Sequence, residues 1–441
     1  MTRKKNRTRV VDAKNLPDKS YTQAGELAAK QKLTRRNLTH VLTEMGLTAR
    51  LNTMTWSLEL HGEGISLGQF AQAQAVQEVA DVLTMSSIGG AFNDVINLLG
   101  TLAYDDPYHP MGEWIDGEKW DGVERIAGLA ASVPTEHPLW PVYLRKWMIQ
   151  VMQAVYGVDP QDPDAATPLE HVLCFTGAQG IGKGRWSASL APGKYVLTDA
   201  ELHLNSMGAK DQMLSVLRYP VVELAELDSS FKRSDIAAMK SFLSRRMDTI
   251  RAPYARKADE RPRGTCFIGT INDTEFLSDP TGSRRYWVIG VDGMLDWNHG
   301  INMQQAWAEA AAAWESGESW HLTAEENEVR ADWNHEFSVT SLEVDKLDTH
   351  LRKHRQEWDN YALMGKAEIL ECVGLSLSLG GARGAVNQWF KEVMGPARKL
   401  RDDDGYRKAR AWAFPIGPNF VKTVTPISAT RAKKLVLWKE N

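Results

Sequence analysis

The eight residues GAQGIGKG, Gly177–Gly184, constrain the fold of this 441-residue chain more than any other stretch. An apolar β-type run, HVLCFT, leads directly into them, and RWSASL follows as a helix start. Glycines allow consecutive backbone N–H groups to turn toward an anion, and a helix N-terminus adds a favourable dipole. The pattern therefore predicts a strand, a phosphate-binding loop and a helix, in that order.

Lys183 is the residue of this loop that is expected to reach the β- and γ-phosphates of a nucleotide. The next position is normally Ser or Thr, whose hydroxyl holds Mg²⁺, but here it is Gly184. The residues predicted to contact the nucleotide are Gly177, Ala178, Gln179, Gly180, Ile181, Gly182, Lys183, Gly184 and Arg185.

An acidic strand is predicted downstream of the loop, in the run VVELAELD from Val221 to Asp228. A carboxylate at the tip of a strand beside a phosphate loop can bind the metal shell and polarise an attacking water. Glu226 is the preferred water-activating residue, and Glu223 and Asp228 are the competing candidates for the metal shell. The alternative is that these acids only close a strand at the surface.

A further strand is predicted in TCFIGTI, Thr265–Ile271, and it ends at Asn272. An Asn side chain offers both a donor and an acceptor, so it can sense the γ-phosphate or orient the lytic water. Arg284 and Arg285 precede another strand, and such a pair can stabilise charge on a transferring phosphoryl group. The alternatives are a turn Asn and a solvated turn with an ion pair.

A basic segment separates the acidic strand from the Asn strand. From Lys240 to Arg263 it contains eight Lys or Arg residues against three acids, in a chain whose net charge is −4. Cations interleaved with an aromatic residue are typical of an electrostatic track for single-stranded nucleic acid, although a solvated basic surface is the alternative. The predicted nucleic-acid contacts are Arg251, Tyr254, Arg256, Lys257, Arg261 and Arg263.

These motifs in this order resemble the virulence-associated E family of phages and mobile elements, whose central domain is similar to superfamily 3 helicases of the AAA+ class. YHPMGEWIDGEKWDGVERI upstream and NMQQAWAEAAAAWESGE downstream extend the resemblance over roughly residues 105 to 320. It implies a ring-forming, hexameric, ATP-dependent motor that acts on DNA. It assigns the Walker A role to Lys183, the Walker B acid to Glu226, the sensor to Asn272, and a finger supplied to a neighbouring subunit to Arg284 or Arg285.

Gly184 departs from the family pattern and bears on how the metal is held. A water can replace the missing hydroxyl, Ser187 one turn later can compensate, or hydrolysis is slow or absent. We expect binding of ATP with Mg²⁺ to be retained, with a water in place of the hydroxyl.

The expected fold class is α/β, with a P-loop AAA+-type core on a parallel central sheet, a helical N-terminal region and a C-terminal winged-helix-like α+β domain. A basic hairpin is predicted over Lys399–Ile416, around Asp404-Gly405. The expected segments are a basic arm (1–20), a mostly helical accessory domain (21–104), a helical collar (105–168), the ATPase core (169–320), the winged-helix-like domain (321–418) and a basic tail (419–441).

Composition favours an ordinary soluble protein, with 43% hydrophobic and 24% charged residues. The cysteines Cys174, Cys266 and Cys372 are widely separated, which favours a reducing compartment over a disulfide framework. No apolar run of about 18 residues occurs, and no apolar region follows the basic start, so a membrane helix and a signal peptide are not expected. These features predict a cytoplasmic location, and the resemblance to a family of phages and mobile elements implies a bacterial host.

Two functions follow as hypotheses. The first is an ATPase that translocates along or unwinds DNA during replication of a phage or mobile element. The second is a nucleotide-gated initiator or assembly factor that closes on DNA without processive unwinding. Gly184 keeps the second hypothesis open, because a weakened metal site would slow hydrolysis more than binding.

Overall fold

The structure is a computed structural model, and it describes residues 10–66, 68–202, 204, 209–225, 233–250, 259–272, 283–336, 342–357, 360–375, 383–394, 398–401, 407–416, 426–428, 430, 432 and 435. The chain divides after residue 337 into two compact units. Within the described residues, no helix is both long enough and apolar enough to cross a membrane.

The N-terminal part of the first unit packs three helices and short strands around one apolar core. Thr34 caps the first helix by accepting a hydrogen bond from the N–H of Asn37, and Gly46 ends it in the left-handed conformation. The second and third strands form an antiparallel hairpin in which Leu47 lies opposite Gly62 and Asn52 opposite Ser57. The elements are β1 (Gln31–Lys32), α1 (Arg35–Met45), β2 (Leu47–Asn52), β3 (Ser57–Gly62), α2 (Gln69–Met85), β4 (Ile88–Gly89), α3 (Phe92–Tyr104) and β5 (Pro107–Tyr108).

The rest of the first unit begins with three helices and continues as alternating strands and helices. The elements are α4 (Pro110–Asp116), α5 (Ile126–Ala131), α6 (Trp140–Tyr156), β6 (Val172–Thr176), α7 (Lys183–Ser189), β7 (Val196–Ala200), α8 (Ala209–Val216), β8 (Val221–Leu224), α9 (Arg233–Leu243), β9 (Met247–Ile250), β10 (Asp259–Pro262), β11 (Cys266–Ile271), β12 (Tyr286–Gly290), α10 (Met303–Glu315) and α11 (Ala324–Glu336).

Five of these strands form one sheet in the order β12-β6-β11-β8-β7, and every neighbouring pair is parallel. The predicted parallel central sheet is therefore confirmed. The carboxyl ends of parallel strands meet at one edge, where open α/β sheets bind their ligands. Strand β6 leads into the predicted phosphate loop, Gly177–Gly184, at that edge, between β11 and β12.

Both faces of the sheet are covered by helices. Leu173 and Phe175 of β6 pack into the apolar cluster that contains α6 and α10, and Val172 and Cys174 pack into the opposite cluster with α8 and α9. Because both faces are buried, the strand reads as a continuous apolar run rather than an alternating one.

The end of the first unit lies later than the sequence predicted. Trp333 of α11 packs against the apolar cluster on one face of the sheet, and Asn334 donates to the carbonyl of Tyr286 at 2.8 Å. The helix α11 thus belongs to the core, and the predicted boundary between residues 320 and 321 is replaced by the division after residue 337.

The second unit, in its described residues, packs helices and an antiparallel sheet around its own core. Its sheet has the order β14-β15-β13-β16, and β13 pairs antiparallel with β15. The basic hairpin predicted over Lys399–Ile416 corresponds to β14 and β15, while its predicted turn lies outside the described residues. The elements are α12 (Leu342–His354), β13 (Tyr361–Met364), α13 (Lys366–Cys372), α14 (Arg383–Glu392), β14 (Arg398–Arg401), β15 (Arg407–Pro415) and β16 (Pro426–Ile427).

Candidate functional site

The phosphate loop joins β6 to α7 in a conformation that requires glycine at two positions. Gly177 has a φ of +150° and Gly182 a φ of +96°, both in the range that L side chains rarely adopt. A Cβ on Gly177 would lie 2.8 Å from the carbonyl oxygen of Val291, and one on Gly182 would lie 2.5 Å from the ring of Trp297. Backbone conformation and close packing therefore both exclude a larger residue at these positions.

The segment that follows β12 supports the loop. The N–H of Val291 donates to the carbonyl of Thr176 at 2.9 Å, and the N–H of Leu295 donates to the carbonyl of Ile181 at 2.9 Å. The guanidinium of Arg185 lies 5.1 Å from the centre of the Trp297 ring. These contacts hold the loop through backbone carbonyl oxygens and the Arg185 side chain.

Lys183, the first residue of α7, points back into the loop and is only 7% exposed. Its ammonium donates to the carbonyl oxygens of Gly177 at 2.6 Å, Ala178 at 3.3 Å and Ile271 at 2.9 Å. It also lies 3.1 Å from the Oδ1 of Asn272. An ammonium has three N–H donors, so an entering phosphate must replace some of these acceptors.

Asn272 and Lys183 come together because their strands are neighbours. Strand β11 pairs with β6 in parallel, with Ile271 opposite Thr176, so the residue after each strand lies at the same edge. The sequence predicted both residues for the same site, and the structure brings them into direct contact.

Glu223 is a carboxylate of β8 at this site and is only 1% exposed. It accepts hydrogen bonds from the hydroxyl of Thr270 at 2.6 Å and from the backbone N–H of Asp199 at 2.7 Å. Burial raises the pKa of its carboxyl group, while these two hydrogen bonds oppose the increase. Glu226 and Asp228, the other two predicted acids, lie outside the described residues.

Gly184 leaves an opening toward carboxylates. A Cβ at this position would lie 3.8 Å from the Oε2 of Glu223 and 4.0 Å from the Oδ1 of Asp199. Ser187 does not fill the opening, since it is fully buried and its hydroxyl donates to the carbonyl of Lys183 at 3.1 Å. Compensation by Ser187, one of the three options for the metal, therefore has no support in the geometry.

Arg284 and Arg285 lie at the amino ends of the strands, whereas the phosphate loop of the same chain lies at the carboxyl ends. They precede β12, whose first residue pairs with the first residue of β6. Five residues of strand, roughly 16 Å, separate this edge from the loop. Arg285 is held by Glu170 at 3.1 Å and by the hydroxyl of Ser244 at 2.8 Å, whereas Arg284 lies 3.8 Å from Glu170 and keeps 63% of its side chain exposed.

The basic segment forms an antiparallel hairpin of β9 and β10. The guanidinium of Arg261 on β10 lies 5.5 Å from the centre of the Trp56 ring, which belongs to the turn between β2 and β3. Four of the predicted nucleic-acid contacts fall between β9 and β10 in the sequence and are outside the described residues: Arg251, Tyr254, Arg256 and Lys257.

Arg263 requires a correction. It is 2% exposed, and its guanidinium pairs with both carboxylate oxygens of Asp248, at 3.0 and 2.5 Å, and donates to the carbonyl of Phe242 at 2.6 Å. The charge of a cation that is buried and paired in this way is neutralised by its partner, and the side chain is not accessible to a phosphate. Arg263 holds the base of the hairpin and is not suited to the predicted contact with nucleic acid.

The sequence interpretation missed three residues of the site: Asp199, Thr270 and Trp297. Asp199 lies near the carboxyl end of β7, so a search for acids at strand ends would have included it. Thr270 and Trp297 carry no comparable signal, because a Thr in a buried strand and a Trp after one are usually packing residues.

A family model described as the virulence-associated protein E-like domain matches residues 115–339, just over half of the chain. Several solved structures are similar. The A form apo structure of the NrS-1 C-terminal region has a TM-score of 0.48 and 14% identity, with 86% of this chain and 99% of that chain covered. Another apo structure of that region, residues 305–718, has a TM-score of 0.47 and 12% identity, with 86% and 98% covered. The search of curated proteins found no match.

Proposed function

Because the chain belongs to the virulence-associated protein E-like family, we propose that it is an ATP-dependent motor that acts on DNA during replication of a phage or mobile element. The observation that carries the proposal is the contact between the buried Lys183 and Asn272 at the end of a glycine loop. An ammonium and an amide that meet at the carboxyl ends of neighbouring strands suit a γ-phosphate.

In this proposal each side chain has a separate task. The loop N–H groups and Lys183 hold the β- and γ-phosphates after the lysine exchanges its carbonyl acceptors for phosphate oxygens. Asn272 contacts the γ-phosphate or orients the attacking water. The P-loop AAA+ core of the superfamily 3 helicase type, suggested by the motif order, is part of the same proposal.

The residues also suit Mg²⁺, a hard cation that prefers oxygen ligands and keeps several waters. The opening at Gly184 faces the buried carboxylate of Glu223, which can hold the ion directly or through a water. A magnesium ion bound with ATP would neutralise negative charge on the phosphate oxygens. Glu226 remains the proposed base that activates the water.

The position of the arginines supports assembly into a ring, proposed as a hexamer. Arg284 is exposed at the edge of the sheet away from its own loop, so it is placed to act on a nucleotide bound by a neighbouring subunit. Arg285, tied to Glu170 and Ser244, is better suited to positioning this edge.

We expect the Arg284→Ala variant to hydrolyse ATP about a thousandfold more slowly than wild type while it still binds ATP, since a finger stabilises only the transition state. Mixing it with Lys183→Ala subunits should restore part of the activity, because some mixed interfaces then contain one intact Lys183 and one intact Arg284. ATPase rates of each variant alone and of the mixture measure this. A mixture no more active than its components would contradict action between subunits.

A forked DNA duplex provides the direct test of the motor. We expect strand separation that requires ATP and fails with a non-hydrolysable analogue. The alternative function, a nucleotide-gated initiator or assembly ATPase, is favoured by Gly184 in place of the usual Ser or Thr. ATP-dependent DNA binding without strand separation, by assembled particles, would contradict the helicase and support this alternative.

A further inference from the structure

The opening at Gly184 is bracketed by two carboxylates rather than one. The Oε2 of Glu223 and the Oδ1 of Asp199 lie 3.8 and 4.0 Å from the point where a side chain at this position would begin. A Ser or Thr there would place its hydroxyl group near these acids. In this chain the same space is bordered by carboxylate oxygens, which are stronger ligands for a hard cation than a neutral hydroxyl.

Asp199 is held at this place by the same buried acid. Its backbone N–H donates to the Oε2 of Glu223 at 2.7 Å, and the register between β7 and β8 shifts between Leu197 and Ala200. Asp199 itself has a φ of +54°, a conformation that Asp and Asn adopt more readily than most residues. The residue is exposed, while Glu223 beside it is buried.

We propose that Asp199 takes over the task of the missing Ser or Thr hydroxyl and positions the magnesium ion of the bound nucleotide, with Glu223 behind it. This inference rests on the proposed nucleotide-binding function. Two carboxylates that border one space repel each other, and a cation between them removes this cost. A bound divalent ion removes the repulsion, so the pair favours the metal-loaded nucleotide.

The test compares nucleotide affinity with and without metal. A fluorescent, non-hydrolysable ATP analogue is titrated into wild type and Asp199→Asn, once in EDTA and once in excess Mg²⁺. Asn preserves the size of the side chain and tolerates the positive φ, so the fold should be retained. Asp164→Asn, an exposed carboxylate in the turn before β6, is the matched control.

The expected result is a loss of affinity in Mg²⁺ that does not occur in EDTA. In EDTA the variant should bind the analogue as tightly as wild type or more tightly, because a negative charge near the phosphates has been removed. In Mg²⁺ it should bind at least tenfold more weakly than wild type, within the range for loss of a group that supports a metal. Adding Gly184→Ser to Asp199→Asn should restore most of the gain from Mg²⁺, and Asp164→Asn should behave as wild type.

Full retention of the Mg²⁺ gain in Asp199→Asn would overturn the assignment. An equal loss in EDTA and in Mg²⁺ would also contradict it, because that pattern indicates a structural role. A wild-type protein that binds no analogue in either condition would contradict the proposed function itself and remove this role with it.

Discussion

Replacing Lys183 by Ala is expected to weaken ATP binding at least tenfold and to slow hydrolysis about a hundredfold. The first figure follows from the loss of a charge-assisted hydrogen bond of about 1.5–3 kcal/mol, and the second from the loss of a donor aimed at developing charge. The ammonium is buried at the end of the glycine loop, where it donates to the carbonyl oxygen of Gly177 at 2.6 Å. Titration of a fluorescent ATP analogue and a steady-state ATPase assay measure the two effects.

Lys194→Ala is the matched control, since this lysine is exposed and lies shortly before β7 in the sequence. The affinity of the Lys194→Ala variant for the nucleotide should equal that of wild type. Thermal unfolding of both variants checks the fold, because Lys183 also links the loop to the carbonyl of Ile271 at the end of β11. Wild-type affinity in a correctly folded Lys183→Ala protein would contradict a phosphate-binding role for this loop.

The loop and its flanking strand could be predicted because their signals are local. The apolar run, the glycines and the lysine are adjacent in sequence, and each dictates the backbone beside it. Asn272 was also predictable, because a polar residue directly after a buried parallel strand must lie at the ligand edge of the sheet. Here the local pattern and the sheet topology agree, and Lys183 and Asn272 are in contact.

Asp199 could be found from sequence as an acid at a strand end, but its position beside Gly184 could not be predicted. The register between β7 and β8 shifts between Leu197 and Ala200, and the Oδ1 of Asp199 lies 4.0 Å from where a Cβ on Gly184 would be. Such a shift is decided by packing between distant segments, since neither strand carries a local signal for it.

The packing of the helix α11 on the core could not be predicted from its local pattern. Polar residues predominate in its sequence, AEENEVRADWNHE. Trp333 nevertheless packs against the apolar cluster on the sheet, Asn334 donates to the carbonyl of Tyr286, and Arg330 is buried. A helix that packs mainly through polar side chains leaves little hydrophobic periodicity to detect.

Arg263 shows how a charge count can mislead. Eight cations in one segment favour a surface track, but the count does not tell which side chain turns inward. The hairpin pairs Met247 with Pro262, and the chain then continues so that Arg263 reaches Asp248. Burial follows from this pairing, which lies outside what composition can reveal.

The pairing of Arg263 with Asp248 gives the second large expected effect. Asp248→Ala should lower the free energy of unfolding of the first unit by about 3–5 kcal/mol, because it leaves a buried guanidinium without its counter-charge. The pair has side-chain exposures of 0% and 4%, so solvent cannot replace the lost carboxylate at low cost. Urea unfolding followed by tryptophan fluorescence measures the change.

Two comparisons separate this effect from a general loss of charge or from a role in DNA binding. Asp105→Asn removes the partner of Arg35 in an exposed pair and should change the same free energy by less than about 1 kcal/mol. Replacing both members of the buried pair, Asp248→Leu with Arg263→Met, should recover most of the stability, since apolar residues of similar size need no counter-charge. If Asp248→Ala left the stability unchanged and Arg263→Met weakened DNA binding, the structural role of the pair would be contradicted. The predicted contact of Arg263 with nucleic acid would then be supported.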